Sequence, residues 1–119
     1  MKTAELERAG AAQILRLVSA TVLACLILAS AGQAQADAEK VYKANCVLCH
    51  GADGSGNTGL GKSLHAQDLR SADTQKQSDA ALSEVITKGR GKMPAFGAKL
   101  KPDDIAKLVA YIRTLAAKK

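Results

Sequence analysis

The sequence predicts an all-α fold, and three observations carry that prediction. Ile105, Leu108, Val109, Ile112 and Leu115 recur at helical spacing near the carboxyl end. Leu82, Val85 and Ile86 form a shorter stripe of the same kind, between Ser78, a capping residue, and Gly89, a stop signal. No stretch alternates apolar and polar residues in the way a half-buried strand does, and no segment repeats.

Taken in order, residues 1–36 read as an export signal. Lys2, Arg8 and Arg16 supply positive charge, Leu17 to Ala29 run apolar, and Ala34-Gln35-Ala36 is an A-x-A cleavage site. The competing reading is a retained membrane anchor, but the uncharged stretch from Leu17 to Gly32 has 16 residues, short of the ~20 that a spanning helix uses. Lipid attachment at Cys25 fits worse, with bulky Leu23 before it and apolar residues after it. Cleavage after Ala36 leaves one domain, residues 37–119, with 14 Lys and Arg against 9 Asp and Glu.

Within that domain, Asp37 to Leu48 reads as a helix, with Val41 and Leu48 on one side and Cys46 and Cys49 one turn apart. Gly51 to Ala72 holds five glycines before Lys62 and no clear period, so a long loop is expected, with a turn of helix near its end. Ser78 and Asp79 open a helix of about ten residues that Gly89 closes. Gly91 to Lys99 is irregular around Met93-Pro94-Ala95-Phe96-Gly97. Pro102, Asp103 and Asp104 begin the last helix, with Lys118 and Lys119 at its carboxyl end as the helix dipole favours.

Composition narrows what such a chain does. The 119 residues have room for one domain and not for a large enzyme scaffold. A charged fraction of 24% and an apolar fraction of 47% exclude wholesale disorder, and 10 Gly with 2 Pro exclude a collagen-like chain. Aromatic residues make up only 3%, so the interior is built from something other than large rings. A domain this short usually needs a staple, whether disulfide, metal or cofactor.

That staple is legible in Cys46-Val47-Leu48-Cys49-His50, the c-type haem attachment pattern. Two thiols about one turn apart can add to the two vinyl groups of one haem, and the next residue swings its imidazole onto the iron. A thioredoxin-like pair shares the C-x-x-C spacing but needs a strand–helix–strand context that is missing here. Zinc wants four ligands, and the mature chain offers Cys46, Cys49, His50 and His65 with two of them adjacent. A disulfide between Cys46 and Cys49 closes a tiny loop and stabilises little. Gly56 to Ser63 formally matches a phosphate loop, and Gly54 to Gly59 a dinucleotide fingerprint; both need a preceding strand and a parallel sheet.

Met93, 43 residues after His50 and the only methionine of the mature chain, is the expected second axial ligand, because a thioether suits haem iron. His65 competes for that role, with a solvated surface position as its alternative.

With these residues in view, the chain resembles a small bacterial class I c-type cytochrome with one haem and His/Met ligation, over residues 37–119. Cys46 to His50 matches that family's haem motif and Lys92-Met93-Pro94-Ala95-Phe96 its methionine loop. Tyr42, Tyr111 and Leu108 resemble the family's contacts between the two terminal helices, with Ala38 where many members carry glycine. The resemblance implies a cytochrome c fold of three to five short helices round one covalently bound haem c. It implies Cys46 and Cys49 as thioether links and His50 and Met93 as iron ligands. One departure is clear: Gly51 to Lys92 contains no proline. The carbonyl that receives the His50 N–H must then come from elsewhere, with Lys62 to Leu64 the expected region. Leu60, Leu64, Leu69, Val85 and Ile86 are expected to pack on the haem.

The function implied is single-electron transfer in the periplasm rather than enzymatic catalysis, by a monomer. Its redox partners would present acidic docking surfaces to Lys88, Arg90, Lys92, Lys99 and Lys101. Nucleic acid is excluded, since the basic residues are not interleaved with aromatics. A membrane is involved only if residues 1–36 are retained. The alternatives are a haem subunit of a larger oxidoreductase and a ligand sensor in which Met93 leaves the iron.

Overall fold

The computed structural model describes residues 33–118, so the signal, anchor and Cys25 readings lie largely outside the described residues. Those described are helical, with no named strand among them. The helices are α1 (residues 33–45), α2 (Val47–His50), α3 (Gly59–Leu64), α4 (Ala72–Gln75), α5 (Asp79–Lys88) and α6 (Pro102–Leu115), followed by a 3-10 turn at Ala116–Lys118. The described residues are thus all-α as the sequence predicts, with more helices than the three to five the resemblance implies because α2 and α4 are single turns.

The core lies where α6 meets α1 and α5. Ile105, Leu108, Val109, Tyr111, Ile112 and Leu115 are all buried along α6, and α1 adds Ala38 and Tyr42, one turn apart on one face. The Tyr42 and Tyr111 rings pack at 5.1 Å between centroids, tilted by 49°. Tyr42, Leu108 and Leu115 are sealed from solvent, and burying a side chain of the aliphatic class is worth roughly 1.5–3 kcal/mol.

Three local expectations are corrected. The first helix starts ahead of Asp37 and is interrupted by a turn at Cys46 (φ −116°) before α2 begins at Val47. Leu48 faces water, at 72% exposed, and shares no buried side with Val41. The glycine-rich stretch contains a true helix, α3, because the Thr58 side chain accepts the Gly61 N–H as its cap. The last two helices fall where the caps predict them: the Ser78 side chain accepts the Ala81 N–H at the start of α5, and Pro102 opens α6.

Candidate functional site

A cleft of about 320 Å³ runs between the α1–α2 junction and the segment that follows α5. Its lining brings together all four residues singled out from the sequence: Cys46, Cys49, His50 and Met93. Leu64, Leu69, Leu82, Val85, Ile86, Phe96, Leu100, Leu108 and Ile112 supply apolar walls. Leu60, expected among them, is absent from the lining and 40% exposed, since α3 turns it outward.

The backbone aims the first three. Cys49 and His50 both donate their N–H groups to the Cys46 carbonyl, at 3.2 and 2.9 Å, so one tight turn carries both thiols and the imidazole. Neither cysteine is in a disulfide. Burial pushes the Cys46 thiol up to about 11, with Cys49 adding to the rise and Lys99 opposing it. His50 Nδ1 lies 3.1 Å from the Gln67 carbonyl. A carbonyl can only accept, so Nδ1 carries the proton and Nε2 keeps a lone pair for a metal. Burial lowers the His50 pKa and favours that neutral ring, while the Gln67 contact works in the other direction. The acceptor is therefore a backbone carbonyl, but at Gln67 and not within Lys62 to Leu64, because α3 carries those residues through a helical turn first.

Met93 is held from the opposite wall. Arg90 and Met93 exchange backbone hydrogen bonds at 3.2 and 3.1 Å, Phe96 N–H donates to Ile86 O at 3.0 Å, and Gly97 N–H donates to Thr87 O at 3.0 Å. The loop thus sits on the carbonyl end of α5. Gly89 makes this approach feasible: its φ is 74°, and a Cβ there would meet Ala95 N at 2.9 Å. His65 also lines the cleft but is exposed, in the left-handed conformation that ends α3 (φ 55°).

The donor set and the lining agree with a mostly apolar group held at two thiols. An apolar cavity with an imidazole lone pair on the Cys46–His50 turn and a thioether on the Met93 loop fits haem c. Zinc does not fit as well: among the described residues no three His, Cys, Asp or Glu side chains converge on one point. Nor does the phosphate-loop match, since among the described residues no strand precedes α3, and the Thr58 hydroxyl accepts the Gly61 N–H. Sequence reasoning missed Thr58 and Gln67. A threonine just before a helix start is a signal that finds the first; Gln67 acts through its main chain and leaves no side-chain trace.

Comparison with known proteins agrees with this geometry. The family model for cytochrome C oxidase, cbb3-type, subunit III matches residues 33–112. Cytochrome c6 of Picosynechococcus sp. is 40% identical over 100 residues, covering 80% of this chain and 84% of that protein. Cytochrome c6 of Gloeothece citriformis is 34% identical over 110 residues, covering 87% and 96%. The cbb3-type cytochrome c oxidase subunit FixP of Bradyrhizobium diazoefficiens is 39% identical over 90 residues, but the match spans only 30% of its length. Among solved structures, the KustC0563 c-type cytochrome superposes with a TM-score of 0.60 at 37% identity, covering 65% of this chain and 94% of that one.

Proposed function

This chain belongs to the small class I c-type cytochromes, a family that carries covalently bound haem, and from that membership we propose that it is an exported, one-haem electron carrier. Cys46 and Cys49 would hold the haem through their sulfurs, and His50 and Met93 would supply the side chains that bind its iron. When bound, the haem supplies a one-electron ferrous–ferric couple. The observation that carries the reading is the convergence of Cys46, Cys49, His50 and Met93 on one apolar cleft from two separate segments of the chain.

The chain's own residues tune and protect that couple. The Gln67 carbonyl accepts a hydrogen bond from the His50 Nδ1–H, which orients the ring and makes Nε2 a better donor. Met93 would supply a thioether, a weaker donor to ferric iron than a second imidazole, which would raise the potential. The aliphatic walls exclude water and disfavour extra positive charge in the cleft, which acts in the same direction. With His50 and Met93 both committed to the iron, no protein-free position would remain for a substrate. Arg90 and Lys92 line the cleft and give its surroundings positive charge suited to acidic redox partners.

The A-x-A segment before Asp37 and the apolar run ahead of it support export to the periplasm. Among the described residues, no helix is long and apolar enough to cross a membrane. A pyridine haemochrome spectrum with an intact mass of the exported protein tests the reading. One haem per chain and a chain beginning at Asp37 are expected; a colourless, compactly folded protein overturns it. The match to FixP supports a second reading, a haem module within a larger oxidoreductase. Gel filtration separates the two, because a monomer favours the freely diffusing carrier.

A further inference from the structure

The last carbonyls of α2 are satisfied unequally. Val47 O receives the Gly51 N–H at 2.9 Å and His50 O receives the Gly56 N–H at 2.8 Å. The two between them, Leu48 O and Cys49 O, both receive the Thr58 hydroxyl, at 2.8 and 3.2 Å. The same oxygen accepts the Gly61 N–H at 2.8 Å. One hydroxyl thus ends the attachment turn and starts α3.

Gly61 closes the joint. It is buried, and a Cβ there would collide with the carbonyls of Cys49 and Gly56, so the α3 backbone lies directly on the peptide that joins Cys49 to His50. At its other end α3 leads into Ala66, whose N–H returns to Gly61 O at 2.8 Å, and then to Gln67, whose carbonyl faces His50 Nδ1. The main chain beneath His50 and the acceptor beside its ring are therefore both referred to α3, and Thr58 is the side chain that ties α3 to α2. The glycines and threonine that imitate a phosphate loop have this structural cause.

We propose that Thr58 is a positioning residue for haem ligation: its hydroxyl fixes the Cys49–His50 peptide against α3 and thereby sets the plane of the His50 ring. The proposal rests on His50 being an iron ligand. Leu48 O is exposed, and water can replace its lost partner; Cys49 O, beneath Gly61, is less open to water, so loss of the hydroxyl is felt there.

The test uses the haem-bearing protein with Thr58→Val, Thr58→Ser, Thr58→Asp and, as a control, Ser78→Ala. Valine removes every hydroxyl contact. Aspartate still caps α3 but, when ionised, cannot donate to the two carbonyls, and so separates positioning from folding of α3. Ser78→Ala removes the cap of α5 and touches none of the Thr58 contacts. The readouts are covalent haem content, the haem-methyl proton shifts of the ferric protein, which follow the orientation of the axial imidazole, the midpoint potential, and amide exchange at His50 and Gly51. Thr58→Val and Thr58→Asp should change the methyl-shift pattern, move the potential and speed that exchange about tenfold. Thr58→Ser should restore all three, and Ser78→Ala should change none. Haem-bearing Thr58→Val and Thr58→Asp proteins with the wild-type methyl pattern and potential overturn this proposal alone. Wild-type protein without haem, or without a coordinated imidazole, overturns it together with the reading beneath it.

Discussion

The Tyr42 hydroxyl donates a 2.8 Å hydrogen bond, inside the core, to the carbonyl of Gly51, the residue directly after His50. It anchors the exit of the Cys46–His50 turn to α1, while Gly51 itself, at φ 77°, turns the chain in a conformation that side chains rarely adopt. Tyr42→Phe keeps the ring packing against Tyr111 and leaves the Gly51 carbonyl with the Gly54 N–H, at 3.2 Å, as its remaining donor. A loss of about 1 kcal/mol in unfolding free energy is expected, measured by denaturant titration of wild-type and variant proteins side by side.

The same residue makes a prediction about alkaline pH. Burial, with smaller contributions from Cys46, Tyr111 and Asp53, raises the Tyr42 phenol well above its ordinary 10.0. Above pH 10 the unfolded chain releases this proton and the folded chain keeps it, so the folded state binds more protons and stability falls as pH rises. The contribution is fully present below pH 10. The difference in stability between wild type and Tyr42→Phe should be flat from pH 7 to 9 and shrink from pH 10 upward. A difference that stays constant to pH 11.5 contradicts the buried phenol.

Arg113 joins α6 to the turn between α4 and α5. Its guanidinium donates to Gln75 O at 2.8 Å and Gln77 O at 2.6 Å, as well as to Asp79 at 2.7 Å. The Asp79 side chain is 76% exposed, so that ion pair adds little, whereas the two carbonyls are part-buried and need their donor. Arg113→Ala should cost about 2 kcal/mol and Asp79→Asn below about 1 kcal/mol. Arg113→Lys should not restore the loss, because an ammonium lacks the planar fork that reaches both carbonyls. Equal effects of Arg113→Ala and Asp79→Asn in thermal unfolding would show the ion pair to be the main contact.

The legible parts of this fold are those that side chains write locally. Ser78 and Gly89 bracket α5 and Pro102 starts α6 because caps and stops act within a few residues. The Cys46 to His50 spacing is legible for the same reason. What was hidden acts through the main chain or at a distance. The Gln67 carbonyl belongs to no motif, since every residue has one. The helix Gly59–Leu64 opposes the low propensity of its two glycines, and tertiary contact at Gly61 together with the Thr58 cap decides the outcome. Leu48 and Leu60 read as core residues by type, and only the paths of α2 and α3 turn them to water.

Charge around the cleft makes the next prediction. Arg90 and Lys92 line it and are exposed, while Lys88, on the preceding helix, is paired with Glu84 at 2.7 Å. If acidic partners dock here, the second-order rate of electron transfer to an acidic redox protein should fall as salt rises from 10 to about 200 mM, as the screening length shortens from about 30 Å to below 10 Å. Arg90→Glu with Lys92→Glu should lower the low-salt rate by at least tenfold and flatten the salt dependence, with Lys88→Glu affecting it less. Stopped-flow kinetics that show no dependence on salt would assign these cations to solubility alone.

Met93 can be truncated without dismantling the loop that carries it. Its main chain is held by the paired hydrogen bonds with Arg90, and the loop beyond it by Phe96 to Ile86 and Gly97 to Thr87, none of which uses the Met93 side chain. Met93→Ala should therefore keep a folded protein with covalently attached haem, at a cost of about 2 kcal/mol for the lost apolar contacts of a part-buried side chain. The change falls on the iron. With the thioether gone the absorption spectrum should become high-spin, and the reduced form should bind carbon monoxide at neutral pH, which the wild type should not. A low-spin spectrum unchanged by the substitution would remove Met93 from the ligand set, and His65, which lines the same cleft, would then be the imidazole to replace. Carbon monoxide binding by the wild type at the same rate as the variant would instead favour a ligand sensor over an electron carrier, because it would mean the Met93 side chain leaves the iron readily.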